Sequence, residues 1–298
     1  MITFSNYVKA ESLEEAYNLA QKKTNVVLGG GLWLRMAQKQ YQTAIDLSAL
    51  GLNQIEETEE KFKIGAMVTL RQLELHQGLA AYTQRAVKEA VRHIVGVQFR
   101  NLATVGGSIY SRFGFSDVLT LFLVMDCQVV LYKEGQISIK EYAARDHHER
   151  DLLTHIVIRK KPGRFVYQSV RNSATDFPVL AHCAVAWENG RVDMAIGARP
   201  GKAILCENVT DAKEVAAKVP TGTNTRGSRE YRSHLVKVLS QRALDRLQGQ
   251  GASDKQLNQG ATDKQLNQGI PDRLSTQGAS YKQLNQETPD KLQEDRKC

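Results

Sequence analysis

Two glycine clusters hold the chemistry that can be read from this chain: Gly29-Gly30-Gly31 and Gly106-Gly107. The first follows the short apolar run Asn25-Val26-Val27-Leu28 and precedes Leu32-Trp33-Leu34-Arg35-Met36. The second lies within Ala103-Thr104-Val105-Gly106-Gly107-Ser108-Ile109. Both are expected where a strand ends. A residue without Cβ lets backbone N–H groups approach a bulky anion, and consecutive N–H groups in such a bend form a concave site for phosphate oxygens. Two such bends suit the two phosphates of one dinucleotide, one from each side. Either cluster alone reads first as a plain turn, and only the pair together points to a ligand. Neither has G-x-G-x-x-G spacing or the Lys-Ser/Thr that ends a P-loop, so neither of those nucleotide sites is supported.

Other chemistry-bearing residues are sparse. Cys127, Cys183, Cys206 and Cys298 stand singly, with no C-x-x-C. That argues against a zinc or iron–sulfur site in this chain and fits a reducing cytoplasm. His147 and His148 are adjacent, and adjacent side chains point apart on a helix or strand, so a solvated loop is expected rather than a metal site. His93 and His182 lie in apolar stretches and read as core histidines. Arg100 either pairs with a phosphate or is an ordinary arginine.

These residues need a scaffold, and the chain is long enough for one. It has 298 residues, 42% of them apolar, enough for about two domains. No stretch nears the roughly 18 uninterrupted apolar residues of a membrane span. Residues 1–7 have no basic start and no long apolar core, so no signal peptide is expected. The net charge is +8, and residues 249–298 carry seven basic and seven acidic residues, so the excess lies in residues 1–248. A positive body attracts anionic ligands or acidic partners or is simply a solvated surface; no nucleic-acid partner is expected.

Periodicity over residues 1–50 predicts helix, strand, turn, helix, strand. Ser12 and Glu15 have capping-box spacing, residues 26–28 and 44–47 are the strands, and a short helix over 32–40 would present its N-terminus to the glycine bend. Strands follow at 53–57 and 61–65. Thr69 is placed as an N-cap, and one helix is predicted over 81–95 with Gly96 as its C-cap. Residues 117–125 read as a buried helix, 127–132 and 136–139 as a hairpin, and 152–158 as a strand. Beyond Pro162-Gly163, strands over 164–170, 179–187 and 191–197, the middle turn at Glu188-Asn189-Gly190, and helices over 212–218 and 231–247 give a small antiparallel sheet with helices. Residues 251–259 recur at 260–268 and, degraded, at 269–277 and 278–286. A period of nine puts successive leucines on opposite helix faces, so this tail is expected to be disordered or loosely helical.

Gly29-Gly30-Gly31-Leu32-Trp33-Leu34, Ile45-Asp46-Leu47-Ser48, Ile64-Gly65-Ala66-Met67-Val68-Thr69-Leu70, Arg100-Asn101-Leu102-Ala103-Thr104-Val105-Gly106-Gly107-Ser108-Ile109 and Ser116-Asp117 occur in that order. Together they resemble the flavin subunit of the molybdenum hydroxylases, the family of xanthine dehydrogenase and aerobic carbon monoxide dehydrogenase. Asp176-Phe177-Pro178, Arg226-Gly227-Ser228 and Tyr231-Arg232 resemble its C-terminal domain. The resemblance implies an α+β fold: a two-subdomain FAD-binding domain over residues 1–160 (about 1–55 and 56–160), a small antiparallel sheet plus helices over 161–248, and the repeat tail over 249–298.

It also implies a cofactor site of Leu28, Gly29, Gly30, Gly31, Leu32, Trp33, Leu34, Thr104, Gly106, Gly107, Ser108 and Ile109 around the pyrophosphate, with Asp117 beside the flavin or serving as a helix N-cap. Trp33 stands where a small polar residue is usual, and its indole either stacks on the cofactor or crowds it. Gln168, Ser169, Arg171 and Asn172 stand where the family often has a lysine and paired arginines. The implied activity is electron transfer in the cytoplasm. Electrons would pass from [2Fe–2S] clusters on a small partner chain, fed by a molybdenum-cofactor large subunit, through FAD to an acceptor, NAD. A flavin does its own redox chemistry, so no catalytic side chain is expected. The alternatives are a flavin-free scaffold or anion-binding module, and a self-contained flavin oxidoreductase.

Overall fold

The first sheet is parallel, in the order β1-β3-β2: β1 (Thr3–Lys9), α1 (Leu13–Ala20), β2 (Asn25–Leu28) and β3 (Gln40–Asp46). The computed structural model describes residues 2–145 and 150–249. The Ser12 hydroxyl caps α1 by accepting the Glu15 N–H, while the Glu15 carboxylate takes the N–H of Glu11. Ala10, Ala16, Ala20, Ile45 and Leu47 form the core under α1. Two expectations change here. β1 is an additional edge strand; six of its seven residues are exposed, so no apolar alternation marks it. The helix expected over 32–40 is a single 3-10 turn, Leu34–Met36, followed by extended Ala37. The chain must run back along the sheet to start a parallel strand, and extended backbone covers about 3.3 Å per residue against 1.5 Å in a helix.

The second sheet is antiparallel, in the order β4-β5-β8-β6-β7. It comprises β4 (Ile55–Glu57), β5 (Lys61–Gly65), β6 (Cys127–Leu131), β7 (Gly135–Ser138) and β8 (Leu153–Arg159). Between β5 and β6 the chain makes a helical lobe: α2 (Leu70–Leu75), α3 (Gln77–Tyr82), α4 (Ala86–Val91), α5 (Val97–Leu102), α6 (Val105–Tyr110) and α7 (Asp117–Leu123), with α8 (Ile139–Ala144) after β7. Thr69 caps α2 in a full capping box with Gln72. The single helix expected over 81–95 is broken. Gln84 and Arg85 adopt left-handed φ of 48° and 69° between α3 and α4, and Val95 does so at 51°, so Gly96 is the N-cap of α5 rather than a C-cap. The segment holding Gly106-Gly107 is helical, not a bend at a strand end.

The third sheet is antiparallel, in the order β12-β11-β10-β9: β9 (Gly163–Arg171), β10 (Pro178–Trp187), β11 (Val192–Gly197) and β12 (Ile204–Cys206), with α9 (Ala212–Lys218) and α10 (Arg229–Leu247). Alternation along β10 joins two cores. Ala181, Cys183 and Val185 pack with α7, whereas Leu180 and Ala184 pack with α10. Arg232 of α10 is fully buried. It donates to the carbonyls of Val179, Gly222 and Gly227 and to Asn224 Oδ1, which fixes the 220–228 loop. The whole is α+β, as expected.

Cys127 and Cys183 are buried. Among the described residues no helix is long and apolar enough to cross a membrane. The His147-His148 pair and the repeats of the tail lie outside the described residues.

Candidate cofactor-binding site

A cleft of about 660 Å³ opens where the first sheet faces the helical lobe. Its floor is the meeting of the two glycine segments. After β2 the chain turns through Gly29, Gly30 and Gly31, the last at φ +69°, a conformation that favours glycine. A Cβ on Gly29 would stand 2.9 Å from Thr104 Oγ1 and 3.9 Å from the Gly107 Cα. A Cβ on Gly30 would overlap the Leu102 carbonyl. Gly106 is also tight, since its Cβ would come within 2.7 Å of the Ala66 Cβ. Segments more than seventy residues apart thus touch backbone to backbone only because side chains are missing.

The two segments differ in what they offer. The N–H groups of residues 29–34 donate to no protein acceptor among the described residues. Those at the start of α6 are all used: Val105 donates to Val68 O (2.8 Å), Gly106 to Ala66 O (2.8 Å) and Ser108 to Thr104 O (3.1 Å), while Gly107 donates to Thr104 Oγ1 (3.1 Å). The expectation of two anion-binding bends is therefore corrected. The first bend has the free donors, and the second glycine pair serves close packing.

Of the thirteen residues expected at the site, Leu28, Gly29, Gly30, Gly31, Leu32, Trp33, Leu34, Thr104, Gly106, Gly107, Ser108 and Asp117 line the cleft. Ile109 does not; it is fully buried in the core beneath α6. Arg100 is not at the site either. Its Nε donates to Glu74 Oε2 at 2.9 Å, and both side chains are buried, so it braces α5 against α2.

Ser116, not Asp117, is the N-cap of α7. Asp117 is the first helical residue and is buried. Its Oδ1 accepts from Arg171 Nη2 at 2.6 Å and from the Tyr167 hydroxyl at 2.5 Å. Burial pushes the Asp117 carboxyl up, against the opposing pull of Arg171 and Tyr167. Burial also pushes the Tyr167 phenol well above its ordinary value, with Asp117 adding to the effect, so Tyr167 stays protonated and donates. Arg171 also donates to Asp176 O at 2.5 Å, which ties the 172–177 loop to the cleft. Arg171 and Tyr167 were missed as site residues; the sequence signal was Arg171 standing among the substituted basic positions.

A second missed feature is an aromatic wall. Trp33, 41% exposed, is stacked on Phe177 with centroids 5.4 Å apart and planes at 27°. Phe115 and Phe113 lie at 5.8 and 6.1 Å from the indole. The crowded spacing of Phe113 and Phe115 was its sequence signal.

Residues 2–160 match the family described as the FAD binding domain in molybdopterin dehydrogenase. The chain belongs to this family. FAD is its cofactor, and it is an oxidoreductase subunit of the molybdenum hydroxylase type. It is 28% identical over 274 residues to the glyceraldehyde dehydrogenase medium chain of Sulfolobus acidocaldarius, covering 80% of this chain and 96% of that one. It is 23% identical to the xanthine dehydrogenase FAD-binding subunit of Escherichia coli O157:H7, covering 82% and 96%. Its fold is similar to a chain of the Cu,Mo-CO dehydrogenase in its cyanide-inactivated form, with a TM-score of 0.74 at 22% identity over 84% of this chain and 99% of that one. It is also similar to quinoline 2-oxidoreductase from Pseudomonas putida 86, with a TM-score of 0.71 at 19% identity over 83% and 97%. The cleft of this FAD-binding subunit fits its cofactor. Unpaired backbone donors suit a diphosphate, the Cβ-free contact makes a floor for it, and the volume is in the range of small-molecule and cofactor sites.

Proposed function

We propose that this chain holds FAD in the cleft between the first sheet and the helical lobe and passes electrons from [2Fe–2S] clusters on a small partner chain to NAD. A molybdenum-cofactor large subunit would complete the cytoplasmic complex. FAD bound there would supply the redox chemistry, exchange of single electrons and of a hydride. The protein binds and orients. The N–H groups of residues 29–34 would hold the diphosphate, Thr104 and Ser108 would form the opposing wall, and Asp117, anchored by Arg171 and Tyr167, would face the ring. Residues 1–160 would be the FAD-binding domain and 161–248 a C-terminal domain that closes one end of the cleft through Arg171 and Phe177.

The observation that carries this reading is the contact between the two glycine segments beside unpaired backbone donors. Purification of the full chain from its native host tests it. A yellow protein with one FAD per chain, co-purifying with molybdenum- and iron–sulfur-containing chains and reducing NAD, is expected. FAD without those partners would remove the electron-transfer role, and an acceptor other than NAD would remove that assignment.

A further inference from the structure

Trp33 is the last but one residue of the segment whose N–H groups are free, so any diphosphate held there lies within one side-chain length of the indole. Trp33 is not folded into the core, for the residue is 41% exposed and lines the cleft. Nor is it loose. Phe177 lies against it at 5.4 Å and 27°, Phe115 and Phe113 brace its edges, and Phe115 in turn meets Phe177 at 4.5 Å. Behind Phe177 stands the Arg226 guanidinium, 4.8 Å from the ring centroid and held by Asp176 at 2.9 Å. Three separate segments therefore fix one tryptophan with part of its surface toward the cleft. Aromatic rings gain most by offset or face contact with another π-system, and a ring held in place before binding loses little freedom when it stacks.

The same bracing shows which end of the cleft this is. Arg171 bonds Asp117 with one nitrogen and the Asp176 carbonyl with another, and Asp176 precedes Phe177. Asp117, Phe177 and Trp33 thus share one end, the end assigned above to the flavin ring.

We infer that Trp33, backed by Phe177, is the residue on which the isoalloxazine ring of FAD stacks, so that one flavin face is covered by indole. This rests on the placement of FAD in the cleft. Stacking of a heteroaromatic ring on an aromatic side chain contributes about ten-fold or more in affinity. An indole is easily oxidised and quenches an excited flavin by giving it an electron, which then returns with no net chemistry; a benzene ring does not.

The test uses the full-length chain stripped of flavin and titrated with FAD. Binding is measured by ultrafiltration and emission of the bound flavin by fluorescence, for wild type, Trp33→Phe and Trp33→Ala. Wild type binds FAD with strongly quenched emission. Trp33→Phe keeps most of the affinity and becomes bright. Trp33→Ala is bright and binds about ten-fold or more weakly. Equal or tighter binding by Trp33→Ala, as a crowding indole would give, overturns the inference, and so does quenched emission in both variants. If wild type binds FAD normally under either result, only the stacking role falls; if wild type binds no FAD, the placement of FAD falls with it.

Discussion

Gly30 rests on the carbonyl of Leu102, with that carbonyl carbon only 2.5 Å from the point a Cβ would occupy. This contact joins the turn after a parallel strand to the last residue of α5, and it determines whether the cleft has a floor. Gly30→Ala must push the two backbones apart. It is expected to weaken FAD binding at least ten-fold, measured by equilibrium ultrafiltration. Gly31→Ala makes a useful contrast. Nothing lies within 4 Å of its Cβ, so only the left-handed backbone is penalised, by roughly 1 kcal/mol, and the floor stays intact. Equal losses of affinity in the two variants would contradict this division.

Asp117 and Arg171 are a buried pair, with side chains 5% and 7% exposed. Arg171→Met leaves the carboxylate without its cation and is expected to cost about 3–5 kcal/mol in urea unfolding. Asp117→Asn in the same chain should recover part of that loss, because the orphaned charge is gone. A double variant less stable than Arg171→Met would refute the pairing.

His182 is fully buried in β10, with Nε2 at 3.2 Å from Ser240 Oγ and Nδ1 without a partner. Burial lowers its pKa from 6.5 to about 3. The fold therefore favours the neutral ring, and its contribution is complete above pH 6.5 and declines as the pH falls toward 3. The decline should approach about 1.4 kcal/mol per pH unit. His182→Leu should flatten that acid limb in a pH series of thermal unfolding, whatever its stability at neutral pH. An unchanged limb would assign the decline to other groups.

Arg232 satisfies three carbonyls and one amide oxygen in a fully buried position. Lysine cannot reproduce that planar fork, and each acceptor left without a partner costs roughly 1–3 kcal/mol. Arg232→Lys should lower the thermal midpoint and speed proteolysis in the 220–228 loop. A variant with native stability would mean those carbonyls find other donors.

Much of this was legible in the sequence. Buried or tightly turned elements declare themselves: the apolar run that becomes α7, the Glu134-Gly135 hairpin, the Thr69 cap and the helix Ala212–Lys218 all stand where periodicity put them. Elements defined by partners did not. β1 is exposed at every residue but Val8 and exists because β3 pairs with it. The 32–40 helix yields to the distance the chain must cover. Gln84, Arg85 and Val95 take left-handed conformations without glycine, so nothing in their residue types marked the breaks in the 81–95 helix. At the candidate site the glycines were visible, but their division of labour was not. Which N–H groups are spent depends on Ala66, Val68 and Thr104, and that is a matter of tertiary contact. Ile109 shared the motif yet faces the core, since one side of a helix cannot line a cleft and pack against a sheet at once.

The most direct measurement is backbone amide hydrogen exchange of the full chain with and without FAD. FAD should protect the N–H groups of residues 29–34 strongly and leave those of residues 105–108 nearly unchanged, because the latter are already bonded within the protein. Protection confined to residues 105–108, or none at residues 29–34 under saturating FAD, would contradict the diphosphate site at the first bend.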